Sequence, residues 1–280
     1  MTGPLRAGVV GWPVAHSRSP LIHGHWLARH GIDGRYDRIP VAPDAIGTFL
    51  AGLKASGLRG ANVTIPHKEA AFLAAEVADP VASFLRAANT LWLEDGRLHA
   101  ANTDVHGFLA NLDDRAPGWD AAGGAALVLG AGGAARAIVY GLARRGFAPI
   151  RLVNRTRDRA EAIAGLFPGK VTVHGWDEVS QLVGEARLVV NTTSLGMKGE
   201  PPLDIDFSGA RADLLVTDAV YVPLDTPLIL AARAQGLATV DGLGMLLHQA
   251  VPGFERWFGV RPEVTPELRE MILADLGAAP

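Results

Sequence analysis

Polar side chains that could carry chemistry stand in the first part of the sequence, directly after stretches with the hydrophobic pattern of strands. They supply three hydroxyls, one amide, one amine and one carboxylate: Ser17, Ser19, Thr64, Lys68, Asn89 and Asp104. Singly, each fits a plainer role, since Ser, Asn and Asp commonly cap helices and a lysine commonly lies on the surface. Together they suit a small polyhydroxylated acid, with the lysine and the carboxylate handling a proton.

A glycine-rich segment in the second half indicates a dinucleotide site. Residues 130–135 read Gly-Ala-Gly-Gly-Ala-Ala and fit G-x-G-x-x-A between a buried strand and a helix. Gly130 permits a tight turn, Gly132 lets the backbone approach a pyrophosphate, and Ala135 lets helix and strand pack closely. The free N–H groups at the helix start would bind phosphates. The plainer alternative is a tight turn between an Ala/Gly-rich helix and its strand.

The residues after the next predicted strand indicate which nicotinamide cofactor would bind. NAD sites usually place an acid there for the ribose hydroxyl, whereas residues 154–159 read Asn-Arg-Thr-Arg-Asp-Arg. Arg155 and Arg159 could meet a 2′-phosphate, and Thr156 could add a hydroxyl. A solvated charged loop is the alternative. We expect NADP(H) rather than NAD.

Alternating strand and helix patterns must position these residues. In the first half we expect strands at 6–11, 36–41 and 60–64, with helices from Ser19 to about His30, from Pro43 to about Gly57, and from Pro66. Ser19 is expected to be an N-cap, followed by Pro20 at N1. Residues 88–93 and 97–101 flank an Asp-Gly turn and predict a hairpin.

The second half repeats the alternation after a loop at 113–124. Strands are predicted at 125–129, 150–154, 171–174, 188–191, 214–217 and 238–240, and helices at 132–145, 158–166, 227–235, 243–258 and 267–276. This order predicts α/β architecture with largely parallel sheets covered by helices.

Composition excludes several classes of protein. The 280 residues carry 26 Lys+Arg and 29 Asp+Glu, a net charge of −3, so a broad basic field for nucleic acid is not expected. There is no cysteine, which excludes disulfides and thiolate catalysis. No metal site, membrane span or signal peptide is expected, and we expect a soluble cytoplasmic protein.

Several segments together resemble the shikimate dehydrogenase family, in family order across nearly the whole chain. They are residues 11–20 (GWPVAHSRSP), 62–68 (NVTIPHK), 88–90 (ANT), 102–104 (NTD), 130–134 (GAGGA), 154–156 (NRT) and 241–246 (DGLGML) through Gln249. The resemblance implies NADP-dependent interconversion of 3-dehydroshikimate and shikimate, in the pathway to chorismate and the aromatic amino acids.

The resemblance also implies a role for particular residues. Ser17 and Ser19 would hold the substrate carboxylate; Thr64, Asn89, Asp104 and Gln249 would bind its hydroxyls; and Tyr221 would contact it. Lys68 would be the catalytic acid and base, with Asp104 beside it. Cofactor contacts would come from Gly130, Ala131, Gly132, Gly133, Ala134, Asn154, Arg155, Thr156, Arg157, Asp158, Arg159, Ala219 and Gly242.

The implied fold has two α/β domains, with the active site in the cleft between them. A mostly parallel substrate-binding and catalytic domain would be discontinuous, 1–103 plus 243–280, and a Rossmann-type NADP-binding domain would span 104–242. Family members occur as monomers and homodimers. One departure is Pro80, where the family often has a polar residue near the cofactor.

Other readings stay open at this point. One is a quinate or quinate/shikimate dehydrogenase of broader substrate or cofactor range. Another is a non-catalytic NADP-binding sensor of the same fold, against which Lys68 and Asp104 argue. A third, a reductase of the quinone or glutamyl-tRNA type, is disfavoured because the latter needs a cysteine and the first hundred or so residues fit neither.

Overall fold

The computed structural model describes residues 3–277, which form two compact units. Within the described residues, one unit comprises 3–104 and 247–275, and the other comprises 105–246 and 276–277. The chain therefore leaves the first unit at Asp104 and returns to it at Leu247. No helix among residues 3–277 is long and apolar enough to cross a membrane.

The first unit is a sheet with helices packed on it. Its elements are β1 (Leu5–Gly11), α1 (Ser19–Arg29), β2 (Gly34–Pro40), α2 (Ile46–Gly52), β3 (Gly60–Val63), α3 (Lys68–Ala74), β4 (Val77–Ala78), α4 (Pro80–Leu85), β5 (Thr90–Glu94) and β6 (Arg97–Ala101). The strand order is β2-β1-β3-β5-β6-β4. The pairs β1–β2, β1–β3 and β4–β6 are parallel, whereas β5 is antiparallel to both of its neighbours. The prediction of a mostly parallel sheet is confirmed.

The predicted hairpin supplies the antiparallel part of this sheet. Asp95 and Gly96, which join β5 to β6, have φ of 51° and 73°. Positive φ at both positions is what a type I′ turn needs, and Asp-Gly adopts it readily. The turn therefore fixes the register that pairs Thr90 with Ala101.

The second unit holds a sheet that is parallel throughout. Its elements are α5 (Asp104–Arg115), β7 (Gly124–Leu129), α6 (Gly133–Arg144), β8 (Phe147–Val153), α7 (Arg157–Ala164), β9 (Val171–His174), α8 (Val179–Glu185), β10 (Leu188–Asn191), β11 (Leu215–Asp218), α9 (Pro227–Ala234) and β12 (Ala238–Val240). The order is β12-β11-β10-β7-β8-β9. This is the doubly wound order, which reverses between β7 and β10 and places a ligand crevice at their carboxyl ends.

The last helices are α10 (Leu243–Phe258) and α11 (Pro266–Leu276). From α10, Phe254 and Trp257 join His23, Trp26 and Tyr36 in a buried set of rings, called the aromatic cluster below. The Trp257 indole N–H donates to the Leu91 carbonyl at 2.8 Å. These contacts fasten α10 to the sheet of the first unit.

Several local predictions are wrong. The second helix begins at Ile46 rather than Pro43, because residues 42–45 first close a turn in which Ala45 N donates to Ala42 O. Ser19 is not an N-cap: Arg18 holds that position and Ser19 is the first helical residue. The third helix begins at Lys68, not at Pro66. The helices α4, α5 and α8 were not predicted: α4 and α8 have only six and seven residues, and the end of α5 falls within the predicted loop at 113–124.

We predict that Gly60→Ala destabilises the first unit by about 1–3 kcal/mol. A Cβ at Gly60 would overlap the Leu91 carbonyl and the Trp257 indole nitrogen, both of which are held by their own hydrogen bond. Urea unfolding measures the loss. Gly47→Ala is the control, because Gly47 lies in α2 with open space around it, and alanine there should raise stability by up to ~1 kcal/mol. Equal stability of the two variants would contradict the packing argument.

Candidate active site

Lys68 and Asp104 form an ion pair in the first unit. Each is the first residue of a helix, α3 and α5 respectively, so the backbone fixes both side chains at their origin. The carboxylate lies at a helix N-terminus, where the helix dipole favours negative charge. Their side chains are 21% and 11% exposed, so the pair is shielded yet reachable by a small molecule. The Lys68 amine and the Asp104 carboxylate thus lie side by side, as the sequence analysis expected.

Asn89 fixes the orientation of that carboxylate. Its Nδ2 donates to Asp104 Oδ1 at 2.9 Å, and Lys68 pairs with Oδ2. Asn89 Oδ1 accepts from Thr103 N at 2.8 Å, which leaves its amide only one orientation. Both carboxylate oxygens therefore have a partner, and the amine is held at a defined place.

The residue before the lysine is also held. His67 is buried and its Nε2 lies 2.7 Å from the Val41 carbonyl, so Nε2 carries the hydrogen. His67 is the N-cap residue of α3, and this bond ties the start of the helix to the segment after β2. The orientation of Lys68 thus depends on a neighbour that does not itself reach the pair.

Ser17 and Ser19 lie between β1 and α1. Ser17 Oγ donates to Ser19 Oγ at 3.2 Å, and Arg38 holds the Ser17 carbonyl with bonds of 2.6 and 3.0 Å. Because Arg18 is the N-cap, the Ser19 hydroxyl is not used to cap its own helix. Thr64 follows β3, which pairs with β1. The methyl group of Thr64 lies so close to Gly11 that a Cβ on Gly11 would overlap it. The structure therefore brings together the chain segments after β1 and β3.

The two remaining predicted substrate residues come from later segments. Gln249 lies in α10, and its carbonyl accepts from Thr103 Oγ1 at 2.8 Å, directly beside Asp104 in the chain. Tyr221 lies in the second unit after β11, where it is half-buried.

The glycine-rich segment follows β7, at the point where the strand order reverses. Gly130 has φ of +106°, and a Cβ there would lie 2.5 Å from Thr192 Oγ1, so only glycine fits. Gly132 is the N-cap residue of α6, and no atom crowds a Cβ at Gly132 or Gly133 within 4 Å. Ala135, in the first turn of α6, is fully buried. Gly132 and Gly133 are exposed, and the first N–H groups of a helix have no partner within it, so the start of α6 offers the kind of donors that a phosphate site requires.

The segment at 154–159 follows β8, the neighbour of β7. Asn154 Nδ2 donates to Thr156 O at 2.7 Å, which shapes the loop, and Arg157 pairs with Glu161 at 2.8 Å. Among residues 3–277, neither Arg155 nor Arg159 forms an ion pair, and both are exposed. Two guanidinium groups are therefore available for an anion, which fits a 2′-phosphate.

Ala219 and Gly242 lie side by side. A Cβ at Gly242 would meet the Asp218 and Val220 carbonyl oxygens at 2.6 and 2.7 Å and the Ala219 carbonyl carbon at 2.8 Å. The N–H of Ala219 donates to Asn191 O at the end of β10. These two backbone segments, both predicted to contact the cofactor, are thus in direct contact.

Residues that the sequence analysis did not select hold this region in place. Asp218 accepts from Asn191 Nδ2 and Val220 N at 2.9 Å and from Thr226 Oγ1 at 2.7 Å. Burial raises its pKa to about 6, although these hydrogen bonds act in the opposite direction. The sequence did hold a signal for this network. Two neighbouring buried strands end in polar residues, β10 in Asn191 and β11 in Asp218. Among the described residues, no three His, Asp or Glu side chains are grouped to hold a metal ion.

The doubly wound unit, its glycine turn and the two unpaired arginines define a dinucleotide-binding domain. The same chain carries the Lys68–Asp104 pair, which can transfer a proton. A dinucleotide-binding domain and a proton-transfer pair in one chain are typical of the nicotinamide-dependent oxidoreductases.

Comparison with known families places the chain within that class. Residues 9–91 match the substrate-binding domain of shikimate dehydrogenase, 115–197 match shikimate/quinate 5-dehydrogenase, and 242–266 match the shikimate 5′-dehydrogenase C-terminal domain. The NADP-dependent shikimate dehydrogenase of Azorhizobium caulinodans is 62% identical over 98% of this chain and 97% of its own. The chain belongs to the shikimate dehydrogenase family and is an NADP-dependent oxidoreductase.

Solved structures agree on the fold. Shikimate 5-dehydrogenase from Thermus thermophilus, in complex with NADP(H) and shikimate, has a TM-score of 0.82 at 33% identity, covering 97% of this chain and 99% of its own. Quinate dehydrogenase from Corynebacterium glutamicum, in complex with NAD, has a TM-score of 0.89 at 29% identity, covering 98% and 100%. The predicted class, two α/β domains with parallel-rich sheets, is confirmed.

We predict that Asp218→Asn becomes more stable than the parent protein as pH rises. The folded pKa of Asp218, about 6, lies above its ordinary value, so the protonated acid contributes stability that is lost as pH rises through about 6. Asparagine does not titrate, and its amide can still accept from Val220 N. Between about pH 4 and pH 7 the stability difference in urea should grow by roughly 2–3 kcal/mol.

The control is Asp206→Asn. Two hydrogen bonds from Ser208 lower the pKa of Asp206, so its removal should have the opposite pH dependence. A flat difference for Asp218→Asn across this pH range would contradict the assigned burial of the carboxylate.

Proposed function

We propose that this protein catalyses the reversible reduction of 3-dehydroshikimate to shikimate with NADPH, within the formation of chorismate and the aromatic amino acids. The observation that carries the proposal is the Lys68–Asp104 pair, whose carboxylate is fixed by Asn89. A proton donor held beside a fixed carboxylate is what the reduction of a ketone needs, since the developing alkoxide must be protonated.

The remaining substrate contacts are proposed by position. Ser17 and Ser19 bind the substrate carboxylate through their hydroxyls, because the two oxygens lie 3.2 Å apart and neither residue is the N-cap of the helix that follows. Hydroxyls of the ring are bound by Thr64, Asn89, Asp104 and Gln249. We propose Tyr221 as a further substrate contact. Such neutral donors with one ion pair favour a small polar acid over an apolar ligand.

The NADP(H) contacts are likewise proposed from the residues present. The N–H groups at the start of α6, with the turn at Gly130–Gly133, fit a pyrophosphate, and Arg155 and Arg159 fit a 2′-phosphate. The rest of this set is Ala134, Asn154, Thr156, Arg157 and Asp158, with the backbone of Ala219 and Gly242 near the nicotinamide. When bound, the cofactor supplies or accepts the hydride.

Lys68 exchanges a proton with the oxygen on the carbon that is reduced or oxidised. In reduction, the Nζ ammonium gives a proton to the carbonyl oxygen as a hydride reaches the carbon; in oxidation, the neutral amine removes the hydroxyl proton. Asp104 holds the amine in place, because one of its oxygens pairs with Lys68 and the other is fixed by Asn89. Asn89 keeps the carboxylate from rotating.

The function is tested by following reduced nicotinamide with shikimate or quinate, each supplied with NADP⁺ or NAD⁺. Rapid reduction with shikimate and NADP⁺ supports the proposal. Activity with quinate or NAD⁺ favours the broader alternative, for which the likeness to a quinate dehydrogenase in complex with NAD gives a reason. No turnover in any pair, with NADPH still bound, would favour the sensor.

We predict that Lys68→Met lowers kcat by about 10²–10⁴-fold and leaves NADPH affinity within twofold or so. Methionine keeps the length of the chain and removes the proton donor. Lys54→Met is the control, since Lys54 is a half-exposed lysine of the same unit that pairs with Glu76. Parent-like turnover in Lys68→Met would refute the acid–base role, and a loss in Lys54→Met would point to a general effect of removing charge.

We predict that Arg155→Ala weakens NADPH binding by about 10–100-fold and weakens NADH binding far less. The guanidinium is proposed to meet only the 2′-phosphate, which NADH lacks. Fluorescence titration with both nucleotides measures the split. Arg144→Ala serves as control, because Arg144 is exposed at the end of α6, away from the glycine turn. Equal weakening of both nucleotides would remove the selectivity role.

We also propose that the protein works in the cytoplasm, where a dissolved pool of reduced nicotinamide supplies the reaction, and that it is a monomer or a homodimer. Sedimentation equilibrium distinguishes the two assemblies. Recovery of the activity from a membrane or secreted fraction would contradict the proposed location.

A further inference from the structure

Tyr36 lies on β2, outside every motif of the candidate site, and is 6% exposed. Its ring stacks on His23 with centroids 3.9 Å apart and planes 8° from parallel, within the aromatic cluster. Its hydroxyl, however, points away from the rings and into a polar region: it donates to Asn62 Oδ1 at 2.6 Å. The Ser19 side chain interacts with this hydroxyl and lowers the pKa of Tyr36, against the larger effect of burial.

Asn62 carries the connection onward from Tyr36. It lies in β3, is 5% exposed, and its Nδ2 donates to Asn89 O and to Thr90 Oγ1, both at 3.1 Å. Its amide has one possible orientation, because Oδ1 faces a hydroxyl donor and Nδ2 faces two acceptors.

From Thr90 the bonds reach the ion pair. Thr90 Oγ1 donates to Asn89 Oδ1 at 3.1 Å, and Asn89 Nδ2 donates to Asp104 Oδ1 at 2.9 Å. Asp104 then pairs with Lys68 through its other oxygen. At the opposite end, Ser17 donates to Ser19. The series therefore joins the Tyr36 hydroxyl to Asp104 without a gap, and the Ser17–Ser19 pair interacts with its Tyr36 end.

Every hydrogen bond in this series points the same way, from the Tyr36 hydroxyl towards the Asp104 carboxylate. Aligned donors polarise one another, so each strengthens the next in a buried setting. Burial raises the pKa of Tyr36 well above its usual value, so its hydroxyl keeps its hydrogen and remains a donor. Burial lowers the pKa of His23 to about 3, so the stacked ring is neutral and adds no competing charge.

We propose that Tyr36 is a positioning residue for catalysis, whose hydroxyl couples the serines that bind the substrate carboxylate to the Asp104–Lys68 pair through Asn62, Thr90 and Asn89. This inference rests on the proposed function for the roles of Ser19 and Lys68. Tyr36 itself touches neither substrate nor cofactor in this proposal. Its hydroxyl sets where Ser19 points and how firmly Asn89 holds Asp104.

The test is Tyr36→Phe, which removes the hydroxyl and keeps the stacked ring. Loss of the hydrogen bond to Asn62 and of the interaction with Ser19 should raise the KM for shikimate and lower kcat, each by about five- to tenfold. The affinity for NADPH should not change, because the nucleotide residues lie in the other unit. Binding of shikimate without cofactor, measured by calorimetry, should weaken to the same extent as KM.

Trp257→Phe is the matched control. It disturbs the same aromatic cluster and removes a buried hydrogen bond to Leu91, yet leaves the Tyr36 hydroxyl in place. Its melting temperature should fall at least as far as that of Tyr36→Phe, with kcat and KM within twofold or so of the parent. Equal kinetic losses in the two variants would assign Tyr36 a merely structural role and overturn the proposal.

Parent-like kcat and shikimate affinity in Tyr36→Phe would also overturn it. A parent protein without turnover refutes the proposed function, and shikimate calorimetry then still decides this inference: weaker binding by Tyr36→Phe supports it. Unchanged binding, or no shikimate binding by the parent protein, overturns it.

Discussion

The buried ion pair of Lys68 and Asp104 is the constraint on which the first unit depends. Both charges are largely removed from water, so each must be matched closely or the site is destabilised. Two features of the fold match the charges. A helix begins at Lys68 and another at Asp104, and each oxygen of the carboxylate accepts from a donor. The mixed sheet follows from the same need, because the antiparallel hairpin is what brings Asn89 and Thr90 beside β3.

The second unit obeys a different constraint, the close approach of backbone to backbone at the carboxyl edge of a parallel sheet. Gly130 fits against Thr192, and Gly242 fits against the carbonyls around Ala219, with no room for a side chain at either place. Asp218 ties these segments together through three acceptor bonds. These bonds require a buried carboxyl group, and burial raises the pKa of Asp218.

The sequence predicted what depends on pattern and missed what depends on packing. The glycine turn, the hairpin and the longest helix were predictable, because each has a local signal: glycine at positive φ, Asp-Gly between strands, and apolar residues at helical spacing. The short helices α4 and α8 were not, since six or seven residues carry too little periodicity. Asn62 was part of a recognised segment, but its link to Tyr36 required three dimensions, because 26 residues separate the two.

The arginines after β8 have one further consequence. Arg155 and Arg159 form no ion pair within residues 3–277 and are exposed, so the fold does not rely on them. Replacing surface groups of this kind generally changes stability by no more than ~0.5 kcal/mol. Selection could therefore exchange the charges at this loop without endangering folding, and relatives with a different nicotinamide preference could arise on the same scaffold through few steps.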